Sequence, residues 1–275
     1  MVSRGKLHFH WRLRGLMTAA GLLLMTGVSA AAEPPVEATN RWVTPACPVV
    51  TGMTETQAEY VLLRLFQVAR DAGAPMVEDG VCESNLYIVA TADPQGLVQA
   101  WGRREPHIFS DAPAEEVRKF QQTPRSVRAW YNIRLNRLTT ASDSPFEGLD
   151  GLPRNIAVAH HAVDTRLHNN SPYVLASEIV VVDSTRVAGI KVGALADYLA
   201  MAALAQRKTD AGGGDARSIL SLFDTAAGAS RPEGLTSRDK AFLHALYHTD
   251  LEDFHQSAAI ASRMGETLHG APPSK

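Results

Sequence analysis

Two histidines one helical turn apart, His244 and His248 in the segment H-A-L-Y-H, have the spacing with which a helix can offer two imidazoles to one divalent cation. Asp250, Glu252, Asp253 and His255 follow closely and could add a third ligand. Helical phasing points the other way. Phe242, Leu243, Leu246 and Tyr247 mark the side that must be buried, which turns His244 and His248 outward together with Lys240. They are expected to be surface histidines, and no metal or other cofactor is assigned.

A second set of groups suits acid–base chemistry. Asp197 interrupts a helix that is apolar nearly all round, Glu178 and Asp183 lie in a β-branched run, and His160 and His161 precede Asp164. Adjacent strand residues point to opposite faces, so at most one of His160 and His161 can serve a given site. A hydrolytic site would need Asp197, Glu178, Asp183 and a histidine from 160–168 to converge from distant parts of the chain. Asp197, Glu178 and His160 are therefore its candidate catalytic residues.

The chain has no G-x-S-x-G elbow, and no serine is assigned as a nucleophile. Gly212–Gly214 neither follows a strand nor ends in G-K-[ST], so it reads as a linker, not a phosphate loop. Trp101, Trp130 and Tyr131 with Arg103, Arg104, Arg125, Arg128 and Arg134 would line either a groove for an anionic or sugar-like ligand or a solvated strand face around one packed Trp.

The elements that must carry these groups are legible from periodicity. Thr54 and Gln57 form a T-x-x-Q capping box ahead of Ala58, Val61, Leu62, Leu65, Ala69 and Ala72, an amphipathic helix that ends at Gly73. Asn85–Thr91 (NLYIVAT) reads as a buried strand, and Asp93 and Pro94 open a helix through Trp101. Pro113–Gln122 is a further amphipathic stretch. Residues 126–135 alternate as a half-exposed strand, with Val127, Ala129, Tyr131, Ile133 and Leu135 facing inward. Residues 155–163 and 174–183 read as two more strands joined by a hairpin through His168–Pro172. Gly189–Gln206 follows as a buried helix, Ser218–Phe223 as a short apolar segment, and Thr236, with Asp239 as its capping partner, starts a last helix that runs to about His248.

Arg4, Lys6, Arg12 and Arg14 precede an apolar run, Gly15–Val28, that ends in the small residues Ser29–Ala32, the pattern of a cleaved secretory signal. The run of about 14 residues is shorter than the ~20 needed to span a bilayer, and no Cys at the junction offers a lipid anchor. Cleavage removes four positive charges and no negative ones, taking the formal charge from −2 to about −6. That excludes nucleic acid and anionic membrane as expected partners and leaves an unknown protein or small ligand. Cys47 and Cys82 then meet oxidising conditions, have neither a C-x-x-C setting nor a neighbouring His, and are expected to pair. A loop of about 36 residues closed in this way contributes roughly 3 to 4 kcal/mol on the chain-entropy account.

The strand, the buried helix A-D-Y-L-A-M-A-A-L and the later segment carrying Leu235, Asp239, Leu243, Leu246 and Tyr247 resemble the layout of zincin-type metallopeptidases over about residues 174–250. The whole chain also resembles a family of exported proteobacterial proteins of unknown function. Set on the H-E-x-x-H pattern, the helix places Ala196 and Ala200 where two zinc-binding histidines belong and Asp197 where the general-base Glu belongs. Alanine cannot ligate zinc, so the resemblance implies a degenerate zincin-like scaffold without its metal.

The expected architecture is α+β: a signal at 1–32, a flexible tail at 33–46, one globular domain at 47–255 with a mixed sheet covered by helices and a subdomain joint near 139–153, and a flexible tail at 256–275. The expected product is a periplasmic or secreted, non-catalytic binding protein without stable membrane insertion. The alternative is a peptidase-like hydrolase with a non-standard site around Asp197 and a histidine from 160–168.

Overall fold

Strand β1 (Pro48–Thr51) leads into helix α1 (Glu55–Ala72), which returns the chain to strand β2 (Leu86–Thr91) parallel to the first. The structure, a computed structural model, describes residues 40–78, 81–110, 112–135, 173–206, 217–224, 231–251 and 256–270, all within one domain, Pro35–Lys275. The secretory segment, the 139–153 joint, the 155–163 strand, the His168–Pro172 hairpin and Gly212–Gly214 lie outside these residues.

Helix α1 forms where its signals place it. Thr54 Oγ1 accepts from the Gln57 N–H, and the Gln57 side chain accepts from the Thr54 N–H. At the far end Gly73 takes φ +79°, the left-handed conformation that lets its N–H close on the carbonyls of Ala69 and Arg70. Helices α2 (Pro94–Arg104) and α3 (Ala114–Gln122) follow β2, with a short 3-10 turn, Pro106–Phe109, between them. Strand β3 (Val127–Leu135) pairs antiparallel with β4 (Tyr173–Asp183), and β4 pairs parallel with β2. Among the described residues the sheet order is β1-β2-β4-β3. Helices α4 (Val192–Leu204), α5 (Ser237–His248) and α6 (Gln256–His269) complete the domain.

Both faces of the sheet are covered, which explains the nearly continuous Ile-Val run in β4. Val180 and Val182 join Leu86 and Ile88 in a large core with α1, α4 and α5. Ile179 and Val181 point the other way, against Val98 of α2, Phe109 and the partly buried Trp101, Phe120 and Trp130. The result is a single α+β domain.

Three expectations need correcting. Strand β3 is not half-exposed: its Arg128–Trp130–Asn132 face lies under α2 and α3, and its polar atoms bond inward. Arg128 Nη1 donates to the Phe120 and Gln121 carbonyls at 3.2 and 3.1 Å, at the end of α3. Trp130 Nε1 donates to Asn132 Oδ1, and Asn132 Nδ2 donates to the Ile108 carbonyl and Ser177 Oγ. A polar strand face can therefore be a buried one when helix ends supply acceptors. Residues 33–46 are not all tail: Arg41, Trp42 and Ala46 are buried, and this strap bonds along the domain from Asn40 onward. Residues 256–275 are not all tail either, because Gln256–His269 is helical and Ile260 and Met264 are buried. Strand β1 is short and carried no alternation to reveal it.

Candidate functional site

Helix α4 is the buried axis of the larger core. From Ala194 to Leu204 every residue is buried, with Ala196 and Ala200 at 0% and 1% exposure. Asp197 enters this apolar column fully partnered. Arg64 on α1 donates from Nε to its Oδ1 and from Nη2 to its Oδ2, the latter at 3.2 Å, and the Leu235 N–H donates to Oδ2 at 2.7 Å. A Cβ on Gly234 would lie 2.6 Å from that Oδ2, so glycine allows the backbone to come this close. The hydrogen bond to Asp197 holds the Arg64 guanidinium even more firmly protonated than usual. Three separate segments, α1, α4 and the chain before α5, meet on this one carboxylate.

Glu178 has the opposite environment. It lies mid-strand on β4, paired with Leu86 of β2 and Tyr131 of β3, and is fully buried with no hydrogen-bond partner for either carboxyl oxygen. Burial pushes its pKa well above the usual carboxylate range. Around it three donors close the C-terminal end of α4, where the helix leaves carbonyls unbonded. Tyr131 Oη donates to the Ala202 carbonyl at 3.1 Å, Trp42 Nε1 to Ala203 at 2.7 Å and Tyr247 Oη to Leu204 at 2.6 Å. The Arg41 guanidinium stands 5.9 Å from the Tyr247 ring centre, with a buried Nη1 that has no partner.

Asp183 ends β4 and organises the following turn. Its Oδ1 accepts from Thr185 N, Thr185 Oγ1 and Arg186 N at 3.0, 2.5 and 3.2 Å. Burial pushes its pKa up, but these bonds and the Arg186 charge outweigh that and hold it below the usual value. The structure does not bring the carboxylates together. Glu178 and Asp183 are five strand residues apart, about 16 Å, and point to opposite faces. Asp197 is bound to α1. His160, His161 and the rest of 160–168 lie outside the described residues.

His244 and His248 are exposed on α5 as the phasing required, and their rings stack at 3.9 Å between centres. The His244 carbonyl accepts from His248 Nδ1 at 2.8 Å, which leaves Nε2 as the lone-pair nitrogen. Parallel stacked rings aim their lone pairs side by side, not at one point, and among the described residues no third His, Cys, Asp or Glu completes a metal-binding group. Desolvation, then His248 and Arg263, lower the His244 pKa.

The aromatic and arginine set divides between the two faces of the sheet. Trp101 and Trp130 pack in the smaller cluster, Tyr131 faces α4, Arg134 Nη2 donates to Thr44 Oγ1 and Arg103 and Arg104 are exposed at the end of α2. Cys47 and Cys82 form the expected disulfide, with Cα atoms 6.1 Å apart, tying the start of β1 to the chain entering β2. Among the described residues no helix is long and apolar enough to cross a membrane.

Arg64 and Arg41 were not foreseen as partners. Arg64 carried a signal: it sits three residues after Val61 and four before Val68, inside the buried stripe of α1. The chain matches none of the protein-family models, curated proteins or solved structures with which it was compared.

Proposed function

We propose that this is an exported, non-catalytic binding or interaction protein of the periplasm or extracellular space, on a scaffold laid out like that of the zincin metallopeptidases but stripped of their chemistry. One observation carries this reading: at the helix positions that would serve zinc hydrolysis, Ala196 and Ala200 are packed into the core and Asp197 has both oxygens committed to Arg64 and Leu235. A general base must meet water, whereas Asp197 is buried and three of its roughly four acceptor sites are taken by Arg64 and the Leu235 N–H. The Cys47–Cys82 disulfide supports export, since such bonds persist in oxidising compartments. A hydrolase would need its acidic groups in one cleft, whereas Asp197, Glu178 and Asp183 do three separate things.

The test is elemental analysis of the protein purified from a periplasmic fraction without His-tag or chelator. Less than a tenth of an equivalent of zinc is the expected outcome; about one equivalent, lost on mutation of His244 and His248, would overturn the reading.

A further inference from the structure

Helix α1 buries Val61, Leu65, Val68, Ala69 and Ala72 against the core, and its opposite side carries a second apolar stripe. Glu59, Leu63, Phe66 and Arg70 follow one another at spacings of four, three and four, which places them within about 60° around the helix. Leu63 is 64% exposed, and Leu62 and Phe66, both partly exposed, belong to neither buried cluster. Tyr60, also exposed, widens the patch toward the start of α4, where its hydroxyl lies against Gly193 beside the exposed Val192. One exposed leucine is ordinary on a protein surface; several large apolar side chains on adjoining positions of one helix are the pattern of a contact surface.

The order of charges along the stripe says what covers it. Glu59 stands about one turn before the apolar pair and Arg70 about one turn after it. Laid antiparallel on a second copy of itself, the stripe sets Glu59 against Arg70 of the partner subunit at each end and Leu63 against Phe66 of the partner subunit between them. Parallel pairing would instead bring acid onto acid and base onto base. Asp71, the acid next to Arg70, is about 100° further round the helix and off the stripe. Arg70 meets Glu78 at 3.3 Å, but both side chains are exposed, so this pair contributes little and can be exchanged for another acid.

We propose that the protein pairs with a second copy of itself through the outer face of α1, the two helices antiparallel about a twofold axis between Leu63 and Phe66. The contact is a single helix pair, at the small end of specific interfaces, so the dimer is a weak one that forms as the protein is concentrated. It stands independently of what the protein binds elsewhere.

Sedimentation velocity of the chain from Glu33 onward, which contains the whole domain Pro35–Lys275, tests this between about 5 and 500 µM, where weak interfaces form. The wild type is expected to move from monomer to dimer over that range. Leu63→Glu is expected to stay monomeric throughout with the wild-type circular dichroism, since this side chain lies outside the core. Glu59→Arg and Arg70→Glu each bring like charges together twice across the axis, and each should weaken the dimer about tenfold or more. The two changes in one chain should restore it. A dimer that persists in Leu63→Glu, or charge reversals that fail to rescue each other, would overturn the proposal. A wild type that stays monomeric would overturn it too, and would assign the stripe to a different partner.

Discussion

Arg64 on α1 grips Asp197 on α4 by both carboxylate oxygens, with side-chain exposures of 24% for the arginine and 7% for the acid. This asymmetry matters. The acid is sealed among the alanines of α4, while the guanidinium keeps an edge to water and a further bond to Gln67 Oε1 at 2.7 Å. Removing either partner therefore strands a different kind of charge.

Arg64→Ala is expected to destabilise the domain by about 3 kcal/mol, because it leaves a buried carboxylate with only the Leu235 N–H. Asp197→Ala is expected to cost less, about 2 kcal/mol, since the freed guanidinium can rehydrate. The double variant should cost at least ~1 kcal/mol less than the two added together. Urea denaturation of the four proteins checks the ordering; equal single-variant costs would show that the pair's burial is not what sets its energetics.

The disulfide makes a separate prediction. Cys47→Ser with Cys82→Ser is expected to lower the unfolding free energy by about 3 kcal/mol, through a denatured chain freed of its cross-link. Dithiothreitol should move the wild-type urea midpoint down to that of the variant and leave the variant where it is. A variant that responds to the reductant would point to a different bond.

Much of the architecture was readable because helix and strand signals are local. The capping boxes at Thr54 and Thr236, the glycine stop at Gly73 and the β-branched run of β4 each specify their element within a few residues, and the structure has all of them. Asp239 shows where local reading stops. Its T-x-x-D role was visible, but its Oδ1 bond from Ser218 Oγ at 2.6 Å and its Oδ2 bond from Ile219 N at 2.8 Å join segments about 20 residues apart. The buried polar face of β3 and the strap were illegible for the same reason, since their acceptors are carbonyls at the ends of distant helices. The candidate site was legible only as a list of polar residues in apolar runs, because Asp197 and Glu178 look alike in sequence and differ entirely in what they meet.

Glu178 gives stability a defined pH dependence. In the unfolded chain its carboxyl titrates near 4.5, and folding raises that value well above, so the folded state holds the proton more tightly. Its stabilising share is then complete below about pH 4.5 and is lost as pH rises through the folded value. Glu178→Leu removes the titration and the unpaired oxygens, and is expected to be more stable than the wild type by about 2 kcal/mol at pH 8, with the gap narrowing toward pH 4.5. Urea midpoints at pH 4.5, 6 and 8 check this; a gap that widens toward acid would mean that the wild-type carboxyl is ionised in the fold.

The last expectation concerns the end of α4. Tyr131, Trp42 and Tyr247 donate to three successive carbonyls, Ala202, Ala203 and Leu204, that lie where the core leaves no room for solvent. Losing one donor leaves a buried carbonyl unpaired, so Tyr247→Phe and Tyr131→Phe should each cost about 1 to 2 kcal/mol. Tyr87 makes a hydrogen bond of the same kind, to the Ser84 carbonyl at 2.6 Å, but on the surface at 39% exposure. Tyr87→Phe lets water replace the hydroxyl and should cost less than ~0.5 kcal/mol. Thermal unfolding of the three variants separates the effects: if Tyr87→Phe costs as much as the others, burial at the helix end is not what gives these hydroxyls their weight.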